Sequence, residues 1–143
     1  MTADLQRIVT TLLRKDGQRY TENRRAVVDL LAQNGPMTIP EILAARGDLA
    51  QSSVYRNLAI LERANVVRRI VTHDEWARYE LAEDLTGHHH HLICSSCGAV
   101  SDFTLTDDLE ASIETAFAKV ARKSGFHLEQ HRLDLVGLCR ECA

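Results

Sequence analysis

Apolar residues recur at helical spacing through Leu5, Ile8, Val9, Leu12 and Leu13, and Gly17 interrupts them, which predicts a first helix. A second is predicted from Thr21, with Ala26, Val27, Val28, Leu30 and Leu31 on its buried side and Asn34-Gly35-Pro36 as its stop. Thr38 opens a short third helix, in which Pro40 fits the first turn, Ile42 and Leu43 face inward and Gly47 closes the segment. The fourth, over residues 52–64, carries Val54, Leu58 and Leu61 on one face; Ser52, Arg56, Ala59 and Arg63 lie opposite, with Tyr55 beside them. The pattern then changes to that of strands. Residues 66–71 and 76–81 flank the turn-like His73-Asp74-Glu75 and read as a β-hairpin. Three helices and a two-stranded wing make the winged form of the helix-turn-helix, whose last helix enters the DNA major groove.

Residues 82–87 show no apolar periodicity and include Glu83, Asp84 and Gly87, so the hinge is placed there, after a winged-helix domain at 1–81. The remainder, 88–143, reads as a small α/β domain. A strand is predicted from His88 through Leu92-Ile93 and a second over 99–103. An amphipathic helix follows, with Leu109, Ile113, Ala116, Phe117, Val120 and Ala121 inward and Ser124-Gly125 at its end. A last strand lies within 126–138, alternating best over 131–137. The fold class expected is therefore α+β, and a second domain this small needs a metal or a partner chain to be stable.

Composition alters this picture in one respect. The formal net charge of −3 conceals an asymmetry: residues 1–72 carry +4 and residues 73–143 carry −7. A basic half joined to an acidic, ligand-rich half points to a polyanion-binding module beside a cation-binding one. With 45% hydrophobic residues and no apolar run of membrane-spanning length or charged-then-apolar leader, the expectation is a soluble cytoplasmic protein.

The candidate chemistry is concentrated between His88 and Cys97. Cys94-Ser95-Ser96-Cys97 is answered by Cys139-Arg140-Glu141-Cys142, and two Cys-x-x-Cys knuckles supply the four thiolates of a closed tetrahedral Zn²⁺ site. Gly98 stands where a knuckle turn needs it, and thiols in a reducing compartment favour metal over disulfides. The four consecutive histidines lead into a strand, so His89 and His91 would point one way and His88 and His90 the other, serving two sites completed by carboxylates. On the fourth helix, Arg56 would contact guanine or phosphate and Tyr55 a phosphate or thymine methyl, with Ser52 on the same face; Arg19 and the wing would lie near the DNA backbone or minor groove.

Gly17-Gln18-Arg19-Tyr20-Thr21 with Arg24, Ser53-Val54-Tyr55-Arg56-Asn57-Leu58, Tyr79-Glu80-Leu81, the stretch from His88 to Cys97, and Cys139 with Cys142 together resemble the ferric uptake regulator family, in the same order along nearly the whole chain. The resemblance implies a homodimeric, metal-dependent repressor of metal-homeostasis or peroxide-response genes that binds palindromic, double-stranded operator DNA, with no membrane partner. It implies structural zinc on Cys94, Cys97, Cys139 and Cys142; a regulatory site on Glu80, His89 and His91, whose carboxylate and two imidazoles suit Fe²⁺, Zn²⁺, Mn²⁺ or Ni²⁺ without choosing among them; and an additional metal site on His88, His90, Glu110 and His131. The chain departs from the family at Pro36, where many members place a histidine in the regulatory site. Asp102, which matches a carboxylate of the peroxide-sensing branch, or His73 in the wing would complete the shell. Glu80 stands where that branch has Asp, and Ala82 is nearest to the hinge cysteine of the zinc-sensing members. Two rival readings use the same residues. A zinc hydrolase on His89, His91 and Glu80 lacks an evident second base, and a zinc-buffering module leaves the basic helix unexplained.

Overall fold

The computed structural model describes residues 2–72 and 76–143. Helix α1 (Thr2–Lys15) lays Leu5, Val9 and Leu13 into the core. Thr21 caps α2 (Glu22–Asn34) by accepting the Arg24 backbone N–H at 3.3 Å. A capping box between Thr38 and Glu41 starts α3 (Ile39–Ala45), with Pro40 in its first turn. Helix α4 (Gln51–Arg63) buries Val54, Leu58 and Leu61 and exposes Ser52, Tyr55 and Arg56. Asn65, at φ 63, takes the left-handed conformation that Asn tolerates and turns the chain into the wing.

The wing is a three-stranded sheet. Besides β2 (Val67–Ile70) and β3 (Arg78–Leu81), the two-residue strand β1 (Met37–Thr38) pairs antiparallel with β3, giving the order β1-β3-β2. The expected two-stranded hairpin is thus extended by a strand too short to leave a periodic signal. It ties the α2–α3 junction to the wing and places Pro36 beside the sheet edge.

A single turn of helix, α5 (Glu83–Thr86), occupies the stretch expected to be an irregular hinge, and its Leu85 packs against the core. Beyond it lies a second sheet of order β5-β4-β6, formed by β4 (His90–Cys94), β5 (Val100–Phe103) and β6 (Asp134–Gly137). Strand β4 runs antiparallel to β5 and parallel to β6. Helix α6 (Asp107–Lys123), capped by Thr106, connects β5 to β6.

Two expectations for this half are corrected. The last strand covers only 134–137, because residues 126–133 climb from the end of α6 back to the sheet without regular pairing. The apolar face of α6 is not an interior face: Leu109 and Val120 are exposed and only Ala121 is buried. The core cluster among the described residues draws every member from residues 5–81. The C-terminal unit has almost no apolar interior, and what converges within it is polar. No helix among the described residues is long and apolar enough to cross a membrane.

Candidate metal centres and nucleic-acid face

Three groups of ligand atoms form, each with all its atoms within 4.8 Å of one another. In the first, the knuckle turn after β4 brings Cys94 and Cys97 to Cys139 and Cys142. Cys97 Sγ and Cys139 Sγ are 3.9 Å apart and all four thiols are free. Thiolates about 2.3 Å from a tetrahedral ion stand roughly 3.8 Å from one another, so the spacing suits Zn²⁺ and is far too long for a disulfide. Backbone N–H groups of Cys97 and Cys139 point at Cys94 Sγ and lower its pKa to about 6. Hydrogen bonding to Cys139 pushes Cys142 up to about 12. Four thiolates cannot share this volume without a cation among them, and a dication removes the conflict.

The second group joins the two sheets. Glu80, at the middle of β3, is 2% exposed. Its Oε2 lies 3.0 Å from His89 Nε2, and its Oε1 lies 3.0 Å from His91 Nε2. Asp102, opposite His91 in the β4–β5 register, approaches His91 Nε2 at 3.5 Å and His89 Nε2 at 3.8 Å. Donors at about 2.1 Å from a tetrahedral ion are separated by roughly 3.4 Å, so the four suit a divalent first-row metal. Asp102 is 38% exposed on its side chain and leaves the cluster an open side. The opposite ring nitrogens are held: His89 Nδ1 by the Gly87 carbonyl at 2.9 Å and His91 Nδ1 by Asp134 at 3.4 Å, so both rings present Nε2.

Arg68 faces Glu80 across the β2–β3 register and donates Nε–H to its Oε1 at 2.6 Å. Burial works to raise the Glu80 pKa, but hydrogen bonds from His91, His89 and Arg68 outweigh it and hold the carboxyl down to about 2. For His89 burial acts downward, and the Gly87 carbonyl, Glu80 and Asp102 together raise it above its ordinary value. Asp102 is raised by burial and by the neighbouring Glu80 charge. Without metal, the stability contributed by Glu80 is fully present above pH 4.5 and is lost as pH falls through about 2. That from His89 is fully present below pH 6.5 and is lost as pH rises through its raised value. A metal must displace the His89 proton. Its affinity is therefore expected to fall about tenfold per pH unit below the raised His89 value. A chelator-competition titration between about pH 8 and pH 6 reads this slope; a pH-independent affinity would remove His89 from the site.

The third group uses the opposite face of the same run. His88 Nε2 stands 3.1 Å from His131 Nε2 and 3.3 Å from Glu110 Oε2, and His90 Nε2 contacts Glu110 Oε1. Two ring nitrogens facing each other at this distance need a proton or a metal between them. Glu110 Oε2 is buried without a hydrogen bond, 3.3 Å from His88 Nε2 and 3.4 Å from His131 Nε2, as one ligand atom of a shared ion would be. Pro36, as its side chain requires, joins none of the groups. The preceding Gly35, at φ 71, brings the loop near Asp102, whose Oδ2 would be 3.9 Å from a Cβ at that position. His73 lies outside the described residues.

The exposed face of α4 is cationic. Arg24 donates Nε–H to Asn57 Oδ1 at 3.0 Å and Nη1–H to the Arg19 carbonyl at 2.5 Å, so it fixes the Arg19 loop against α4. Burial and the nearby charges of Arg19 and Arg56 lower the Arg24 pKa. The charges of Arg19, Arg24 and Arg56 thus lie near one another, and Arg56 shares its exposed face with Ser52 and Tyr55, an arrangement that suits phosphate. The sequence reading overlooked Arg68, Glu83 and Asp134 beside the clusters. Strand register would have placed Arg68 opposite Glu80 and Asp134 beside His91; Glu83 had no pattern to reveal it.

The model of the ferric uptake regulator family matches residues 15–136. The chain is 33% identical over 138 residues to the ferric uptake regulation protein of Campylobacter jejuni, covering 92% of this chain and 83% of that protein. It is 26% identical over 136 residues to the peroxide operon regulator of Bacillus subtilis, covering 92% and 88%. Among solved structures, the Helicobacter pylori ferric uptake regulator, which has three functional metal binding sites, superposes with a TM-score of 0.78 at 27% identity, over 99% of this chain and 93% of that one.

Proposed function

Because this chain belongs to the ferric uptake regulator family, we propose that it is a metal-responsive, DNA-binding transcriptional repressor whose Glu80, His89, His91 and Asp102 form the regulatory site. The observation that carries the reading is that these ligands come from both sheets: Glu80 from the wing of the winged helix, the others from the unit beyond α5. A divalent ion bound there supplies the link between the two halves. The protein's part is to fix which halves are linked. Glu80 is immobilised by Arg68 on the wing sheet, so a restraint on its carboxylate is a restraint on α4. The relative orientation with two recognition helices spaced for successive major grooves is then favoured over others. Ser52, Tyr55 and Arg56 on α4 read the operator, and Arg19, steadied by Arg24, contacts the backbone.

Cys94, Cys97, Cys139 and Cys142 hold a structural Zn²⁺, and His88, His90, Glu110 and His131 an additional metal. The protein acts as a homodimer. The unburied apolar surface of the C-terminal unit, including Leu92, Leu109, Val120, Leu135 and Val136, is what a second copy would cover. The same reading places it in the cytoplasm as a regulator without enzymatic activity. Asp102 among the hinge ligands also favours a response to peroxide, which exposing the Fe²⁺-loaded protein to peroxide before DNA binding distinguishes from iron sensing.

Removing the central guanidinium of α4 by Arg56→Ala is expected to cost roughly 1–3 kcal/mol of sequence-specific affinity. Arg19→Ala should lose less discrimination and more salt dependence. Fluorescence anisotropy on duplexes selected from a random library by the metal-loaded protein measures both. Equal binding by wild type and Arg56→Ala would exclude α4 as the reader.

A further inference from the structure

Glu83 stands between the two histidine clusters and belongs to neither. It opens α5, which Leu85 anchors to the N-terminal core, and one of its carboxylate oxygens serves two residues at once. His88 Nδ1 lies 2.8 Å from Glu83 Oε1, and the His89 backbone N–H donates to the same atom at 3.3 Å. His88 is a ligand of the cluster with Glu110 and His131, and His89 a ligand of the cluster with Glu80. Glu83 sits on the far side of the His88 ring from the metal position, so it orients the ligand without being one. His90, in the same cluster as His88, offers a contrast: its buried Nδ1 has no hydrogen-bond partner, whereas a carboxylate fixes the tautomer of His88.

We propose that Glu83 is a positioning residue that couples the two clusters, so that filling the His88, His90, Glu110, His131 site tightens metal binding at the Glu80, His89, His91, Asp102 site. The physical route is short. Glu83 accepts the Nδ1 proton of His88, which leaves Nε2 unprotonated and aimed at the cluster. Coordination through Nε2 makes the Nδ1 proton more acidic and strengthens its bond to Glu83. A firmer Glu83 holds the His89 main chain more closely, and the His89 ring then waits in place opposite Glu80. The effect is reciprocal, as any coupling between binding sites must be.

The inference rests on the reading of both clusters as metal sites, and Co²⁺ titrations of the full-length, zinc-containing protein separate the two. In a His89→Ala background, which leaves the His88, His90, Glu110, His131 cluster intact, Glu83→Ala is expected to weaken Co²⁺ binding on the order of 10- to 100-fold. Glu83→Gln, which keeps an acceptor oxygen, should recover part of the loss. In the parent protein, hinge-site affinity is expected to drop several-fold on His131→Ala, and that drop should disappear when Glu83 is already Ala and shrink when it is Gln. An isostructural Gln keeps the comparison meaningful should the Ala variant fold poorly. Unchanged Co²⁺ affinity at the His88, His90, Glu110, His131 cluster in both Glu83 variants, or a His131→Ala effect that persists at full size in them, overturns the coupling while leaving the metal sites standing. No Co²⁺ binding at either cluster of the parent overturns both.

Discussion

Cys94→Ser is expected to release the zinc and, with it, the fold of the C-terminal unit and the dimer. Cys94 is 4% exposed and takes backbone N–H donors from both knuckles, so its thiolate is the point where the two ends of the unit meet. Apolar burial offers little to replace it. Every member of the core cluster comes from residues 5–81, and beyond α5 the buried apolar residues among those described are Cys94 and Ala121. For a structural Zn²⁺ held this way, metal binding amounts to about 10–16 kcal/mol of folding free energy, as large as the total stability of a domain. Cys142→Ser should behave alike, whereas the winged helix, with its own core, should keep its helical signal. Metal analysis with size-exclusion chromatography decides the matter, and a folded, dimeric, zinc-free Cys94→Ser protein would contradict it.

Glu80→Ala and His89→Ala are expected to abolish the stimulation of DNA binding by metal while the dimer persists. The two act from opposite sides of α5. Glu80 carries the restraint to the wing, and its loss also strands Arg68, a cost to the winged helix that His89→Ala does not share. Agreement between them therefore points to the metal and not to local unfolding. Coupling of this kind is on the order of 5- to 150-fold in affinity. All of that gain should vanish in both variants, leaving the weak, salt-dependent binding of the basic face. If both kept it, sensing would lie at the His88, His90, Glu110 and His131 cluster.

The parts of this molecule that were legible in the sequence are those whose residue pattern has a period or a fixed spacing. Val54, Leu58 and Leu61 declared the buried side of α4, Thr21 and Thr38 marked helix starts as capping residues, and the histidine run sorted into two sets because strand side chains alternate. What was hidden has no local signature. Strand β1 exists because β3 offers an edge to Met37 and Thr38, and α5 is one turn long. Apolar positions on α6 and β6 have the composition of an interior but face outward in a single chain, since sequence pattern cannot tell a core from a surface awaiting a partner. Arg68 at Glu80 and Asp134 behind His91 are matters of register between strands 12 to 43 residues apart, which only the fold supplies.

The central claim is that metal at the Glu80, His89, His91 and Asp102 cluster governs DNA binding. Its most direct test is the affinity of the zinc-containing protein for a selected operator duplex as a function of free Mn²⁺, followed by anisotropy at fixed salt beside Glu80→Ala. A saturable, metal-dependent rise is expected in wild-type affinity and a flat response in the variant. A wild-type affinity that is the same with and without the metal would contradict it.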